Sequence, residues 1–254
     1  MEAQKLESWA LMERAATALC EWIEQNYRLD ELIFLIVAGP GNNGGDGLAL
    51  ARLLYELDAE VAISMWSEKS SFSPDNEKNQ ALARGLGIAF LNESELHHWL
   101  QSRKKPVIAI DALFGIGFKG EMRSFYRPAL EFLNDRGRIL EVLGVDMPSG
   151  VPTEEERSAD SDWIVKATHT LSFEFPKPSF FYRNHEDFLG QWHILDIGFD
   201  QKTIEKEKAL ARTVDLEDLR KVLKQRKRFD YKNSLGHVCL CGGSRGKYGA
   251  MVLA

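Results

Sequence analysis

Three short stretches of the chain set oxygen-bearing side chains directly beside glycine. They are Asn42-Asn43-Gly44-Gly45-Asp46-Gly47, Asp111-Ala112-Leu113-Phe114-Gly115-Ile116-Gly117 and Asp146-Met147-Pro148-Ser149-Gly150. The first lies between an apolar run, Leu32 to Val37, and a Leu/Ala-rich run of helical spacing, Leu48 to Leu54. This pattern predicts a buried strand, a turn filled by the glycines from Gly39 to Gly47, and a helix. Glycine permits positive φ and close backbone approach, and the N–H groups of the turn and of the first helical turn have no intrahelical partners. Such a place binds anions, and a nucleotide phosphate is the usual guest. A tight turn with no ligand is the plainer alternative. It leaves three side-chain oxygens, on Asn42, Asn43 and Asp46, without a task.

Neither common phosphate motif fits. No Lys-Ser/Thr pair follows a second glycine as in a P-loop, and no Asp or Glu ends a second strand at the ribose-binding distance. The other two stretches follow apolar runs, Pro106 to Ile110 and Ile139 to Val145. An acid at the carboxyl end of a strand, followed by a glycine turn, is where open α/β sheets place their sites. Converging on one edge of a parallel sheet, the strand ends should enclose a pocket.

The elements that must position these residues alternate. Residues 5 to 27 read as an amphipathic helix with Leu6, Trp9, Leu11, Met12, Ala15, Ala16, Leu19, Trp22 and Ile23 recurring at helical intervals, destined for the core or for a dimer interface. A strand over 60–66, a helix over 75–86, a short strand at 87–91 and a helix over 93–100 capped by Asn92 follow. After the strand at 106–110 come a helix over 126–136, the strand at 139–145, and late strands over 167–173 and 191–198. Alternation of this kind predicts an α/β fold with a mostly parallel sheet.

Composition narrows the class. The 254 residues are 44% hydrophobic and 28% charged, enough for a sizeable core. A net charge of -6 argues against a general nucleic-acid or membrane-surface binder. No apolar run is long enough to span a bilayer. The cysteines, Cys20, Cys239 and Cys241, form no CxxC pair. Cys239 and Cys241 alternate on a strand-like pattern and read as core residues in a reducing compartment, which points to the cytoplasm.

Assembled, these residues resemble the NAD(P)H-hydrate epimerase family, also called the YjeF N-terminal domain. The pieces that carry the likeness are Leu11-Met12-Glu13-Arg14-Ala15-Ala16, the Gly39 to Gly47 stretch, Asp111 to Gly117, Val145 to Gly150, the Lys177 segment and Asp196-Ile197-Gly198. The resemblance implies a Rossmann-like three-layer αβα domain over about residues 1–210, interconverting the R and S epimers of hydrated NADH or NADPH. It implies substrate contacts from Asn42, Asn43, Gly44, Gly45, Asp46, Gly115, Ile116, Gly117, Phe118, Lys119, Gly120, Glu121 and Asp146. It also implies a potassium ion held by Asn43, Asp111 and Ser149, whose amide, carboxylate and hydroxyl oxygens suit a hard cation. Epimerising a hydroxyl-bearing carbon needs a proton donor and acceptor, and Asp146 is the candidate, with Lys177 stabilising charge nearby. A non-catalytic nucleotide-binding module acting through a protein partner is the alternative. Nothing placed after the second strand distinguishes NADH from NADPH. Family members commonly carry Gly where Ala16 stands and an acid where Thr168 stands.

Residues 211–254 differ in character. Lys221 to Arg228 is basic, and Asn233 to Ala250 reads as strand, glycine turn and helix start. That segment resembles the opening of the ribokinase-like NAD(P)H-hydrate dehydratase domain fused behind some epimerases. One strand and one turn cannot bury a core, so no dehydratase activity is expected of these residues.

Overall fold

The computed structural model describes residues 7–68, 71–118, 122–137, 139–152 and 163–200, with shorter stretches between 202 and 253. The chain divides into two compact units, 1–206 and 207–254.

Seven strands build the first unit: β1 Ile33–Ala38, β2 Glu60–Met65, β3 Ala89–Phe90, β4 Val107–Ala112, β5 Glu141–Val145, β6 His169–Phe173 and β7 Gln191–Leu195. They form one sheet in the order β3-β2-β1-β4-β5-β6-β7, and each neighbouring pair is parallel. The strand order changes direction between β1 and β4, the topological switch point at which open α/β sheets bind ligands.

All residues of β1 and β4 are buried, because helices cover both faces of the sheet. The pleat divides the side chains between two cores. Phe34, Ile36, Ile108 and Ile110 pack with Leu19, Ile23, Leu48, Leu50 and Leu54. Those partners belong to α1 Ser8–Asn26 and α2 Asn42–Glu56, and α3 Pro74–Gly85 adds Ala83. Ile33, Leu35, Val37 and Ala109 face Leu96 of α4 Glu93–Gln101 and Leu130 and Leu133 of α5 Arg127–Leu133. The result is the expected three-layer α/β fold. Each fully buried Leu or Ile contributes about 2 kcal/mol of transfer free energy. Asn92 caps α4 through a reciprocal capping box with Glu95.

The apolar face of α1 belongs to the core: Met12, Ala15, Ala16, Leu19, Cys20 and Ile23 are all buried. A charged tie fixes its register. The buried Arg52 of α2 donates to both Glu13 carboxylate oxygens, at 3.0 and 3.1 Å, and to Asn79 Oδ1 of α3 at 2.6 Å.

The glycine run departs from expectation. Helix α2 begins at Asn42, so Asn42 to Gly47 forms its first turns and only Gly39-Pro40-Gly41 remains a turn. Positive φ is found at none of these glycines, so their backbone freedom is not what the fold uses. Close approach is. A Cβ on Gly44 would lie 1.9 Å from the Gly39 carbonyl oxygen, one on Gly45 2.5 Å from Met12 Cε, and one on Gly47 2.5 Å from Ala112 Cβ. A side chain at Gly44 would overlap the backbone of the preceding turn, one at Gly47 would press on Ala112 of β4, and one at Gly45 would require the Met12 side chain to move.

In the second unit the described residues include helices Leu216–Val222 and Gly249–Leu253. Cys239 and Cys241 are exposed, not buried, and Leu216, Phe229 and Leu253 are also exposed. The described residues around the two cysteines carry no strand that could turn them into a core.

We predict that Gly44→Ala destabilises the first unit by roughly 3 kcal/mol or more, since the clashing atom is backbone and cannot rotate away. Gly41→Ser, where an added Cβ meets nothing within 4 Å, should change stability by less than about 0.5 kcal/mol. Urea unfolding of the two variants checks the contrast.

Candidate functional site

Backbone hydrogen bonds align the carboxyl ends of the central strands. Gly39 N–H donates to Ala112 O at 3.0 Å, and Trp66 N–H, just past β2, donates to Ala38 O at 2.8 Å. The register sets Val37 beside Asp111 and Asp111 beside Gly144, so the residues after β1, β4 and β5 emerge side by side. All three oxygen-rich stretches therefore meet at one sheet edge.

Asp111 is the most enclosed acid at this edge, with no exposed surface. Its Oδ2 accepts from the Ser149 backbone N–H at 2.7 Å, and its Oδ1 from the Ser149 hydroxyl at 2.6 Å. Burial pushes the Asp111 carboxyl up to about 6, against the lowering effect of the Ser149 and Leu113 donors. The Ser149 hydroxyl in turn accepts from Phe114 N–H at 3.0 Å. Asn43 points here too: a Cβ on Gly115 would lie 2.8 Å from Asn43 Oδ1. The Asn43 Nδ2 is buried with no hydrogen-bond partner among the described residues. One buried carboxylate whose donors are all neutral, beside amide and hydroxyl oxygens, fits a hard cation. Among the described residues no group of three or more His, Cys, Asp or Glu side chains could hold a metal ion.

Asp146, the first residue past β5, occupies the left-handed region with φ +63°. An acid tolerates this conformation better than most residues, at a cost of about 1–3 kcal/mol. Surrounding contacts hold it there. Its N–H donates to Leu171 O at 2.8 Å, Ser172 Oγ donates to its Oδ1 at 3.1 Å, and Lys177 Nζ lies 3.0 Å from the same oxygen. Lys177 is itself anchored by the carbonyls of Phe173 and Phe175, at 3.0 and 3.2 Å. β6 and the loop after it thus bring a cation to an acid that β5 presents. Asp46, on the second turn of α2, faces Asp146 across the switch point. Desolvation first, then the negative charges of Asp146 and Asp75, push its carboxyl well above the usual carboxylate range.

Of the loop after β4, Gly115 sits against Asn43, Ile116 and Gly117 are exposed, and Phe118 packs against Phe114 with the rings tilted by 40° and their centroids 4.9 Å apart. Lys119, Gly120 and Glu121 lie outside the described residues. Asn42 is exposed at the start of α2, and Gly44 and Gly45 are buried beneath the turn. Two cavities lie elsewhere. One of about 300 Å³ is lined mainly by Phe180, Phe181, Tyr182 and Trp192, and one of about 330 Å³ by Glu13, Arg14, Glu21 and Asp196. Neither is lined by Asp46, Asp111 or Asp146.

A parallel sheet wrapped in helices, with acids and a helix amino terminus gathered at its switch point, defines an α/β protein of the Rossmann-like class. Comparison with known proteins narrows this. Residues 8–179 match the family described as YjeF-related protein N-terminus, and the chain belongs to that family. It is 30% identical over 252 residues to the bifunctional NAD(P)H-hydrate repair enzyme of Moorella thermoacetica, covering 97% of this chain and 47% of that one. It is 31% identical over 183 residues to the NAD(P)H-hydrate epimerase of Limosilactobacillus reuteri, covering 72% of this chain and 82% of that one. This chain thus spans about half the length of the bifunctional relative. The crystal structure of yeast YNL200c shares the fold, with a TM-score of 0.62 at 21% identity over 93% of this chain and 91% of that one.

Two residues that shape the site carry no sequence signal of their own. Ser172 looks like an ordinary alternating strand residue, and Asn76 like one polar residue among many on α3. Asn76 is fully buried, and its Nδ2 bridges the carbonyls of Gly39 and Gly41 at 3.0 and 2.9 Å. Replacing it leaves two turn carbonyls short of a donor. We predict that Asn76→Ala destabilises the first unit by roughly 2 kcal/mol. It should also speed amide hydrogen exchange in residues 39–45 beyond that of the β4 amides, as measured by mass spectrometry.

Proposed function

We propose that this chain is an isomerase that interconverts the R and S epimers of hydrated NADH and NADPH, as the names of its epimerase relatives state for those proteins. The observation that carries the reading is the Asp146–Lys177 pair at 3.0 Å, opposite the amino terminus of α2 at the switch point. A phosphate group of the substrate lies against the free N–H groups where α2 begins, and the hydrated ring reaches Asp146.

Inverting a carbon that bears a hydroxyl requires that the C–O bond break and re-form, or that the ring open and close. Either route moves one proton onto an oxygen or nitrogen leaving group and takes it back when the bond re-forms on the other face, so nothing is consumed. Asp146 makes this transfer, worth about 10²–10⁴ in rate. Lys177 stabilises the charge that develops beside it, and Ser172 fixes the orientation of the carboxylate. Asn43, Asp111 and Ser149 would hold potassium, which would supply positive charge beside the buried Asp111.

Residues 1–210 form the epimerase domain and residues 211–254 the linker and opening of a dehydratase domain. The lengths of the matches support this division, since the bifunctional relative aligns over 97% of this chain and the epimerase relative over 72%. Dehydratase (lyase) activity is not assigned to these residues. Among the described residues no helix is long and apolar enough to cross a membrane, and a small-molecule repair reaction of this kind suits the cytoplasm.

The reading is tested by mixing the protein with a single epimer and following equilibration by chromatography. Asp146→Asn should slow epimerisation by about 10²–10⁴ while hydrate binding is retained; an unchanged rate overturns the assigned role. Binding without any epimerisation by the native chain would favour the non-catalytic module. Potassium should activate more than sodium at equal ionic strength, and Ser149→Ala should abolish the difference. Indifference to the cation would remove potassium from the proposal.

A further inference from the structure

Resting on that reading, the placement of the substrate has a consequence at the far side of the switch point. With the hydrated nicotinamide at Asp146 beyond β5 and a phosphate at the start of α2, the adenosine half of the dinucleotide continues toward the end of β2. The strand order β2-β1-β4-β5 separates those two ends by three strand spacings, roughly 14 Å, a span that two riboses joined by a pyrophosphate can cover. The loop after β2 borders this path. It is tied to the end of β1 by Trp66, and to the turn by Ser73 N–H, which donates to Pro40 O at 3.0 Å.

The end of β2 is not as bare as the sequence pattern indicates. Glu68 stands three residues beyond Met65, the last residue of β2. It follows Gly47 at about 20 residues, the separation at which dinucleotide folds place the acid that reads a ribose 2′-hydroxyl. Its Oε2 lies 2.8 Å from Nη1 of Arg123, which comes from the loop after β4. The two side chains are 32% and 65% exposed, open to a ligand. Aromatic contacts hold the loops in place beneath them: Trp66 meets Phe125 edge-on at 6.1 Å, and Phe125 meets Tyr126 at 5.0 Å. Tyr126 also hydrogen-bonds the backbone of Glu68.

We propose that Glu68 and Arg123 together read the 2′ position of the adenosine ribose and set the balance between hydrated NADH and hydrated NADPH. A 2′-hydroxyl donates to the Glu68 carboxylate, which stays paired with Arg123. A 2′-phosphate instead draws the Arg123 guanidinium to itself, a match of planar donors to phosphate oxygens, and meets repulsion from Glu68. An acid alone would reject the phosphate and an arginine alone would prefer it. The pair accepts both substrates and holds their ratio near an intermediate value.

The test compares kcat/KM for the two hydrates in the same preparation. Arg123→Ala should lower the NADPH-hydrate to NADH-hydrate ratio about tenfold, the scale of one charge-assisted contact, and Glu68→Gln should raise it severalfold. Arg123→Lys, which keeps the charge and loses the fork, should fall between native and Arg123→Ala. Calorimetric titration with ADP-ribose and 2′-phospho-ADP-ribose reads the same preference without turnover, and Arg123→Ala should weaken the phosphorylated ligand selectively. Ratios within twofold of native in all three variants, or equal weakening of both ligands, overturn this inference and leave the epimerase reading standing. A native chain that epimerises neither hydrate while discriminating the two ligands through Arg123 would instead overturn the epimerase reading and keep the 2′ reader.

Discussion

The close approach of α2 to the end of β1 is the constraint on which the other features depend. Three helix positions lie so near other chain segments that a methyl group would overlap the Gly39 carbonyl, Met12 or Ala112. Because α2 is seated this low, the free N–H groups at its start open onto the switch point between β1 and β4. Gly45 leaves room for the Met12 side chain of α1, and the adjacent Glu13 reaches Arg52. The buried Arg52 links α1, α2 and α3 in one hydrogen-bonded group, and α3 carries Asn76 back to the turn carbonyls. The seat of one helix thus determines where a loop, two neighbouring helices and the polar groups between them lie.

The order and type of the elements were legible in the sequence because a sheet buried on both faces leaves a strong trace. Continuous apolar runs for β1 and β4, interleaved with helical spacing, leave few other arrangements. The strand ends were legible for the same reason, since acids beside glycine interrupt those runs. The start of α2 was misplaced because glycine is read as a breaker. In Gly44, Gly45 and Gly47 the lost helix propensity, about 1 kcal/mol each, is outweighed by packing that a larger residue would forbid. Partners across the chain were not legible. Nothing local tells Ser172 from Thr170, or Asn76 from Asn79, because their significance lies in which distant backbone or carboxylate they meet. Glu68 was invisible for a related reason: it follows the strand by a few residues, and only the fold brings Arg123 to it.

The electrostatics at the sheet edge are unbalanced in a way that identifies what the strand ends lack. The carboxyl groups of Asp46, Asp111 and Asp146 gather there, and among the described residues Lys177 is placed on Asp146. Burial raises the carboxyl of Asp111 against the lowering effect of its Ser149 and Leu113 donors, and Asp46 is raised by burial first and then by the charges of Asp146 and Asp75. A buried carboxylate without a counter-charge costs several kcal/mol. In the proposed function, a cation held at Asp111 would offset that cost.

The left-handed conformation of Asp146 follows from the same architecture. To leave β5 and return through Pro148-Ser149 toward Asp111, the chain must reverse immediately after Val145, and Gly150 completes the reversal at φ +95°. Ser149 can donate both its N–H and its hydroxyl to Asp111 only if that reversal is tight. The strain at Asp146 and the satisfaction of Asp111 are therefore one geometric requirement seen from two residues. A carboxylate held off the strand axis by the backbone, with Ser172 and Lys177 on one oxygen, keeps its other oxygen, Oδ2, free of those two contacts. In the proposed reaction, that oxygen is the one assigned to exchange a proton with the substrate.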